Sequence, residues 1–210
     1  MTKLLYLLTL LFLVAVSSFA QVSEEKLVKD AFNNYKSAIL NDKGEEALKC
    51  IDDRTIKYYN DILEVIKKAD SFKINSLSLI DKVTVLSIRH RATKEEIMEM
   101  DGKGLFVYAI KKGMVGKSSV SNNTIGDVTV NKGFAKGQLV ASGQKVPLYF
   151  HFYKEQGQWK FSLISLFPAS NMAFKKMMED SGKKENDYLF SILEVLTGRK
   201  PGTEIWQPLM

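Results

Sequence analysis

Residues 145–163 read KVPLYFHFYKEQGQWKFSL, and their period decides the fold. Val146, Leu148, Phe150 and Phe152 alternate with Pro147, Tyr149, His151 and Tyr153. A period of two is that of a strand whose successive side chains point to opposite faces. The first set is wholly apolar and must face a core, each side chain contributing roughly 1.5–3 kcal/mol on burial. The second carries polar tips and suits an outer face. Upstream and downstream the same period predicts strands over 125–131, 134–142, 145–155 and 158–167. The loops between them hold Asn131-Lys132-Gly133, Ser142-Gly143-Gln144 and Glu155-Gln156-Gly157-Gln158, which are hairpin lengths, so an antiparallel meander is expected. In the last strand Trp159, Phe161, Leu163 and Phe167 share one face while Ile164 and Leu166 take the other. Apolar weight on both sides predicts a curved sheet with something packed on its back.

Before the meander the period is helical. Leu27, Val28, Ala31, Phe32, Tyr35, Ala38 and Ile39 recur at three- and four-residue steps after Ser23, with Glu24 and Glu25 at the positive end of the helix dipole. Asn41-Asp42-Lys43-Gly44 ends that helix; a short one follows through Ala47 and Ile51, and a third through Ile56, Tyr59, Leu63 and Ile66. In 72–89 the β-branched residues favour strand while the spacing also allows helix. Thr93-Lys94-Glu95-Glu96 is a capping box that predicts one helix over 94–112, weakened at Gly102 and Gly104. Pro168 is expected to stop the last strand, with short helices at 171–178 and 187–196 beyond it. The apolar tail around Ile205 and Trp206 is expected to pack back, because a free Trp leaves apolar area in water.

The first twenty residues, MTKLLYLLTLLFLVAVSSFA, have one lysine, an apolar run and a small-residue close, the layout of a signal peptide cut near Ala20. The run falls short of the ~20 residues of a membrane span. The expected protein is therefore exported, periplasmic or secreted, with no integral span. Division follows as a leader over 1–20, an α+β domain with one core over 21–167, and a helical extension and tail over 168–210.

Net charge is +6, which raises nucleic acid as a partner, but 26 of the 30 basic residues are lysines in scattered pairs and only four are arginines. Phosphate and base recognition favours the bidentate guanidinium, so no nucleic-acid binding is expected. Cys50 is the single cysteine and excludes an internal disulfide; beside apolar helical positions it reads as a buried filler. With two histidines and no cysteine cluster there is no zinc ligand set, and no metal or cofactor is expected. His90, between Arg89 and Arg91, reads as part of a solvated basic turn. Residues 113–119, GMVGKSS, lack the first glycine of a phosphate loop and follow a helix, so Gly113 and Gly116 read as a helix end and a turn leading into strand.

A leading helix bearing Phe32, Tyr35 and Ala38, a helical layer, and a closing hairpin YFHFYKEQGQWKFSL over 149–163 together resemble the nuclear transport factor 2-like superfamily, which includes SnoaL-like cyclases and ketosteroid isomerases. The resemblance implies a cone-shaped α+β fold, a cystatin-like roll whose antiparallel sheet wraps a helix around an apolar cavity. Enzymes of that superfamily place an Asp, His or Tyr inside the cavity. No residue here matches such a site individually; His151, with Asp127 and Tyr149 as helpers, is the candidate, and its alternation puts it on the face opposite Phe150 and Phe152.

The expected function is thus an exported, non-catalytic binding module for a small apolar ligand or a protein partner, with Phe32, Tyr35, Tyr59, Phe150 and Phe152 around the pocket. One alternative is a cofactor-free isomerase, dehydratase or hydrolase using His151 or Asp127. Another is a structural domain that forms a homodimer through Tyr149, His151 and Tyr153.

Overall fold

The computed structural model describes residues 23–115 and 117–210. The expected leader and the turn at Gly116 lie outside the described residues.

Ser23 accepts a hydrogen bond from the Lys26 amide and starts α1, Glu24–Leu40, whose stripe Val28, Ala31, Phe32, Tyr35, Ala38 and Ile39 is buried. After α2, Gly44–Leu48, Asp52 caps α3, Asp53–Lys68. The region left open between strand and helix is helical, as α4, Ser71–Asn75, and α5, Leu79–Arg91. Ser78 caps α5, and burial of Leu79, Val85, Leu86 and Ile88 outweighs the β preference of the valine and isoleucine. His90 accordingly lies in the last turn of a helix and not in a loop; its Nε2 lies 3.0 Å from Thr197 Oγ1 and 3.1 Å from the Arg199 carbonyl.

The Thr93 capping box is present, but the single helix expected after it is two. α6, Lys94–Glu99, ends at Met100, and Asp101 accepts from the Gly104 amide to start α7, Gly102–Lys111. Gly102 is required there: a Cβ would sit 2.5 Å from the backbone nitrogen of Asn60, whose side chain accepts from the Gly102 amide. Gly113, with φ at 66°, ends α7. A one-turn helix, α8, Ser118–Ser121, intervenes before the sheet where a direct turn into strand was expected.

Four strands, β1 Asn123–Asn131, β2 Phe134–Ala141, β3 Gln144–Glu155 and β4 Gln158–Ser162, pair antiparallel in sequence order. Ser142-Gly143 and Gln156-Gly157 all have positive φ, the geometry of two-residue hairpin turns matched to strand twist. Register breaks between Ile125 and Val128 and between Gln138 and Val140 bend the meander. The fourth strand is shorter than expected. It stops at Ser162, Leu163–Leu166 forms a 3-10 turn, and α9, Phe167–Ser181, carries Pro168 in its first turn, where a missing N–H costs nothing. α10, Glu185–Thr197, and a 3-10 turn at Thr203–Trp206 complete the α+β arrangement.

Among the described residues, the buried apolar side chains form two clusters. α1 packs on the inward side of the sheet, where Ala135, Leu139, Phe150, Phe152 and Phe161 close the first. Residues of α3, α4, α5, α6 and α7 form the second, completed by Leu189 and Leu193 of α10 and by Ile205 and Trp206 of the tail. The tail packs back, with the Leu209 amide donating to the Lys67 carbonyl. Tyr59 touches both clusters. No helix among the described residues is long and apolar enough to cross a membrane.

Candidate ligand cavity

The amphipathic stripe of α1 meets the sheet through aromatic rings. Phe32 lies 5.2 Å from Phe150 and 5.7 Å, edge-on, from Phe161, and Tyr35 lies 5.1 Å from Phe161. Near the end of β4 this packing stays open. A cavity of about 180 Å³ is bounded by Phe32 and Tyr35 of α1, Tyr59 of α3, and Phe150 and Phe161 of the sheet. Leu163, Leu166 and Phe167 cover another side because the chain turns out of the sheet after Ser162. Val115, Val120 and Ile80 also line the space, and its lining residues with polar side chains are Tyr35, Tyr59, Ser119 and Ser170.

Burial pushes the Tyr35 phenol well above its ordinary range, with smaller contributions from Tyr59 and Cys50, and pushes Tyr59 up to about 12. Both phenols therefore stay protonated and can donate to a bound acceptor. The structure brings Phe32, Tyr35, Tyr59 and Phe150 to this one wall. Phe152 is fully buried behind it, 5.4 Å from Phe161, and does not line the space. Sequence reasoning missed Phe161, Leu163, Leu166, Phe167 and Val115. Val115 lies in a loop, Leu163 and Leu166 in a 3-10 turn and Phe167 at the start of α9, all places where the period of the neighbouring strand or helix has already ended.

On the other side of the sheet the outer set is where alternation put it. Tyr149 is 47% exposed, and Phe134 lies 5.2 Å from His151 and 5.1 Å from Tyr153. The Arg54 guanidinium stacks 3.6 Å above the Tyr153 ring. Burial, and then Lys136, lower the basicity of His151. Asp127 is exposed and paired with Lys145 at 2.6 Å, which holds its carboxyl below the usual range. His151 is thus outside the cavity, across the sheet from Phe150.

A wetter cleft of about 280 Å³ lies between α1 and the last hairpin, lined by charged Asp30, Lys49 and Lys160 and by Cys50. The Cys50 thiol donates to the Glu46 carbonyl at 3.3 Å, and burial raises its pKa, so it is a thiol at neutral pH rather than a nucleophilic thiolate. Among the described residues no group of His, Cys, Asp and Glu can hold a metal ion. No family model matches this chain, and no curated protein and no solved structure matches it.

Proposed function

We propose that this chain is an exported, non-catalytic binding module that holds a small apolar molecule between α1, α3 and the sheet. The carrying observation is the lining: aromatic and aliphatic residues, four residues that bear a hydroxyl, and no carboxylate, imidazole, amine or guanidinium residue among those described. Such a wall recognises shape and apolar area with a hydrogen bond or two for orientation. It supplies no group poised for proton transfer near neutral pH, since both phenols are held protonated. The size suits a one- or two-ring molecule, because an apolar cavity of ~150 Å³ is enough for benzene. A helix laid on a four-stranded meander with two register breaks supports the nuclear transport factor 2-like, cone-shaped reading, and the leader over 1–20 supports export.

Titration with 1-aminonaphthalene, a two-ring fluorophore, tests the reading. Saturable fluorescence enhancement is expected, at least tenfold weaker in Ser170→Trp, which fills the cavity from α9 while leaving the thermal transition in place. Absence of saturable binding by this probe and by indole and benzene overturns it.

A second reading, a homodimer through the outer sheet face, is favoured by the exposure of Tyr149 beside the Phe134, His151 and Tyr153 rings. Mass in solution decides it: a dimer lost in Tyr149→Asp supports the contact, and a monomeric wild type removes it.

A further inference from the structure

The apolar cavity has a neighbour. A second space of about 110 Å³ lies among α3, α5 and α7, lined by Tyr59, Thr84, Ile88, Leu105, Met114 and Val115. Tyr59 and Val115 also line the first space, so these two side chains are a common wall between the cavities. Tyr59 is likewise the residue that packs on both hydrophobic clusters. We infer that the ligand is an unbranched alkyl or acyl chain, which enters the aromatic cavity and extends past Tyr59 and Val115 into the helical half. This inference rests on the binding reading above and names its ligand class.

Three features favour a chain over a compact ring. First, the two spaces are arranged in series across one partition, a geometry that a ring of the first cavity's size leaves half empty. Second, the inner wall offers methyl and methylene groups, and its Thr84 hydroxyl is already engaged with the Ile80 carbonyl at 2.9 Å, so the space suits the apolar end of a molecule. Tyr35 and Ser170 line the first cavity and not the second, which places the polar head there. Third, one half of the partition is carried by a loop: Val115 lies outside any helix or strand, two residues after Gly113 in its left-handed conformation. Its side chain can yield without disturbing α3, which holds Tyr59.

The test is displacement of bound 1-aminonaphthalene by n-alkanols from pentanol to dodecanol. Each methylene that passes the partition should strengthen binding about fourfold, the transfer free energy of a buried CH₂. Val115→Ala should tighten decanol at least fivefold and leave hexanol unchanged. Thr84→Leu, which fills the inner space only, should abolish the gain beyond hexanol while the probe still binds. If alkanol affinity levels off at hexanol in the wild type, or climbs equally in Thr84→Leu, the chain inference falls and the cavity reading stands. If neither the probe nor any alkanol binds, both fall together.

Discussion

The Arg89 guanidinium donates to the carbonyl of Ile205 at 3.1 Å, joining α5 to the tail across 116 positions of sequence. The same side chain donates to the carbonyls of Ile66 at 2.8 Å and Ala69 at 2.7 Å, and more weakly to that of Val65, at the C-terminal end of α3. Its positive charge thereby sits on the negative end of that helix. Arg89 is only 8% exposed, and burial lowers its pKa to about 10, which still leaves it charged at neutral pH.

Replacing Arg89 by Ala strands several buried carbonyls at once, each costing on the order of 1 kcal/mol or more. The variant should lose about 3 kcal/mol in urea unfolding. Arg89→Lys should recover less than half, because a single ammonium cannot reach both the α3 carbonyls and Ile205. A loss under ~1 kcal/mol in Arg89→Ala would mean that the tail is held by Ile205 and Trp206 packing alone.

Much of this arrangement is visible in the sequence, and the reasons for the rest are local. Alternation through Val146–Phe152 names the inward and outward sets, because a strand buried on one side allows only one register. The α1 stripe and the Thr93 box are equally direct. Residues 79–91 mislead because Val83, Val85 and Ile88 have strand propensity, yet their helix is paid for by contact with α3 and α10, which no local pattern carries. Ser78 followed by Asp81, a cap followed by an acidic first turn, was the available sign. For the cavity, rings on regular elements are predictable, while Leu163, Leu166 and Phe167 reach it only because the strand ends at Ser162.

Asp52 joins the two halves at the other end of α3. Its Oδ1 accepts from the Thr55 amide at 3.0 Å and from the Thr55 hydroxyl, and that hydroxyl in turn accepts from the Leu163 amide at 3.1 Å. Asp52→Ala removes the helix cap and frees the turn that covers the cavity, so a loss of ~2 kcal/mol is expected. Asp52→Asn keeps the accepting oxygen and replaces Oδ2, which among the described residues has no hydrogen-bond partner and only a 3.7 Å ion pair with the half-exposed Arg54; it should cost under ~1 kcal/mol. Urea midpoints in the order wild type, Asn, Ala check this, and equal losses in both variants would contradict it.

His151 gives the outer face a pH signature. Its folded pKa lies below the unfolded value of ~6.5, through burial first and Lys136 second. Between the two values the unfolded chain binds more protons, so stability rises with pH through that window and is lost as pH falls from ~6.5. An imidazole NMR titration should have its midpoint below 6.5, move upward in Lys136→Ala, and remain depressed because burial persists. His151→Gln should flatten the dependence between pH 7 and 5. A wild-type midpoint at or above 6.5 would place the ring in water, contrary to its packing on Phe134.

Phe161 couples stability to occupancy, because its ring meets Phe32, Tyr35, Phe150 and Phe152 and also lines the cavity. Phe161→Ala removes a fully buried ring and should cost about 3–5 kcal/mol, since the surrounding rings are fixed by α1 and β3 and collapse only in part. The space left behind merges with the existing cavity. A two-ring ligand such as naphthalene should then bind the variant more tightly than the wild type and restore stability in proportion to its concentration, ~2.7 kcal/mol at a hundred times its Kd. Thermal melts of both proteins across a naphthalene series measure the effect. A variant that is destabilised yet indifferent to naphthalene would show that the rings collapse into the gap, and that the open space in the wild type is maintained by Phe161 itself rather than by the rigidity of the helix and sheet around it.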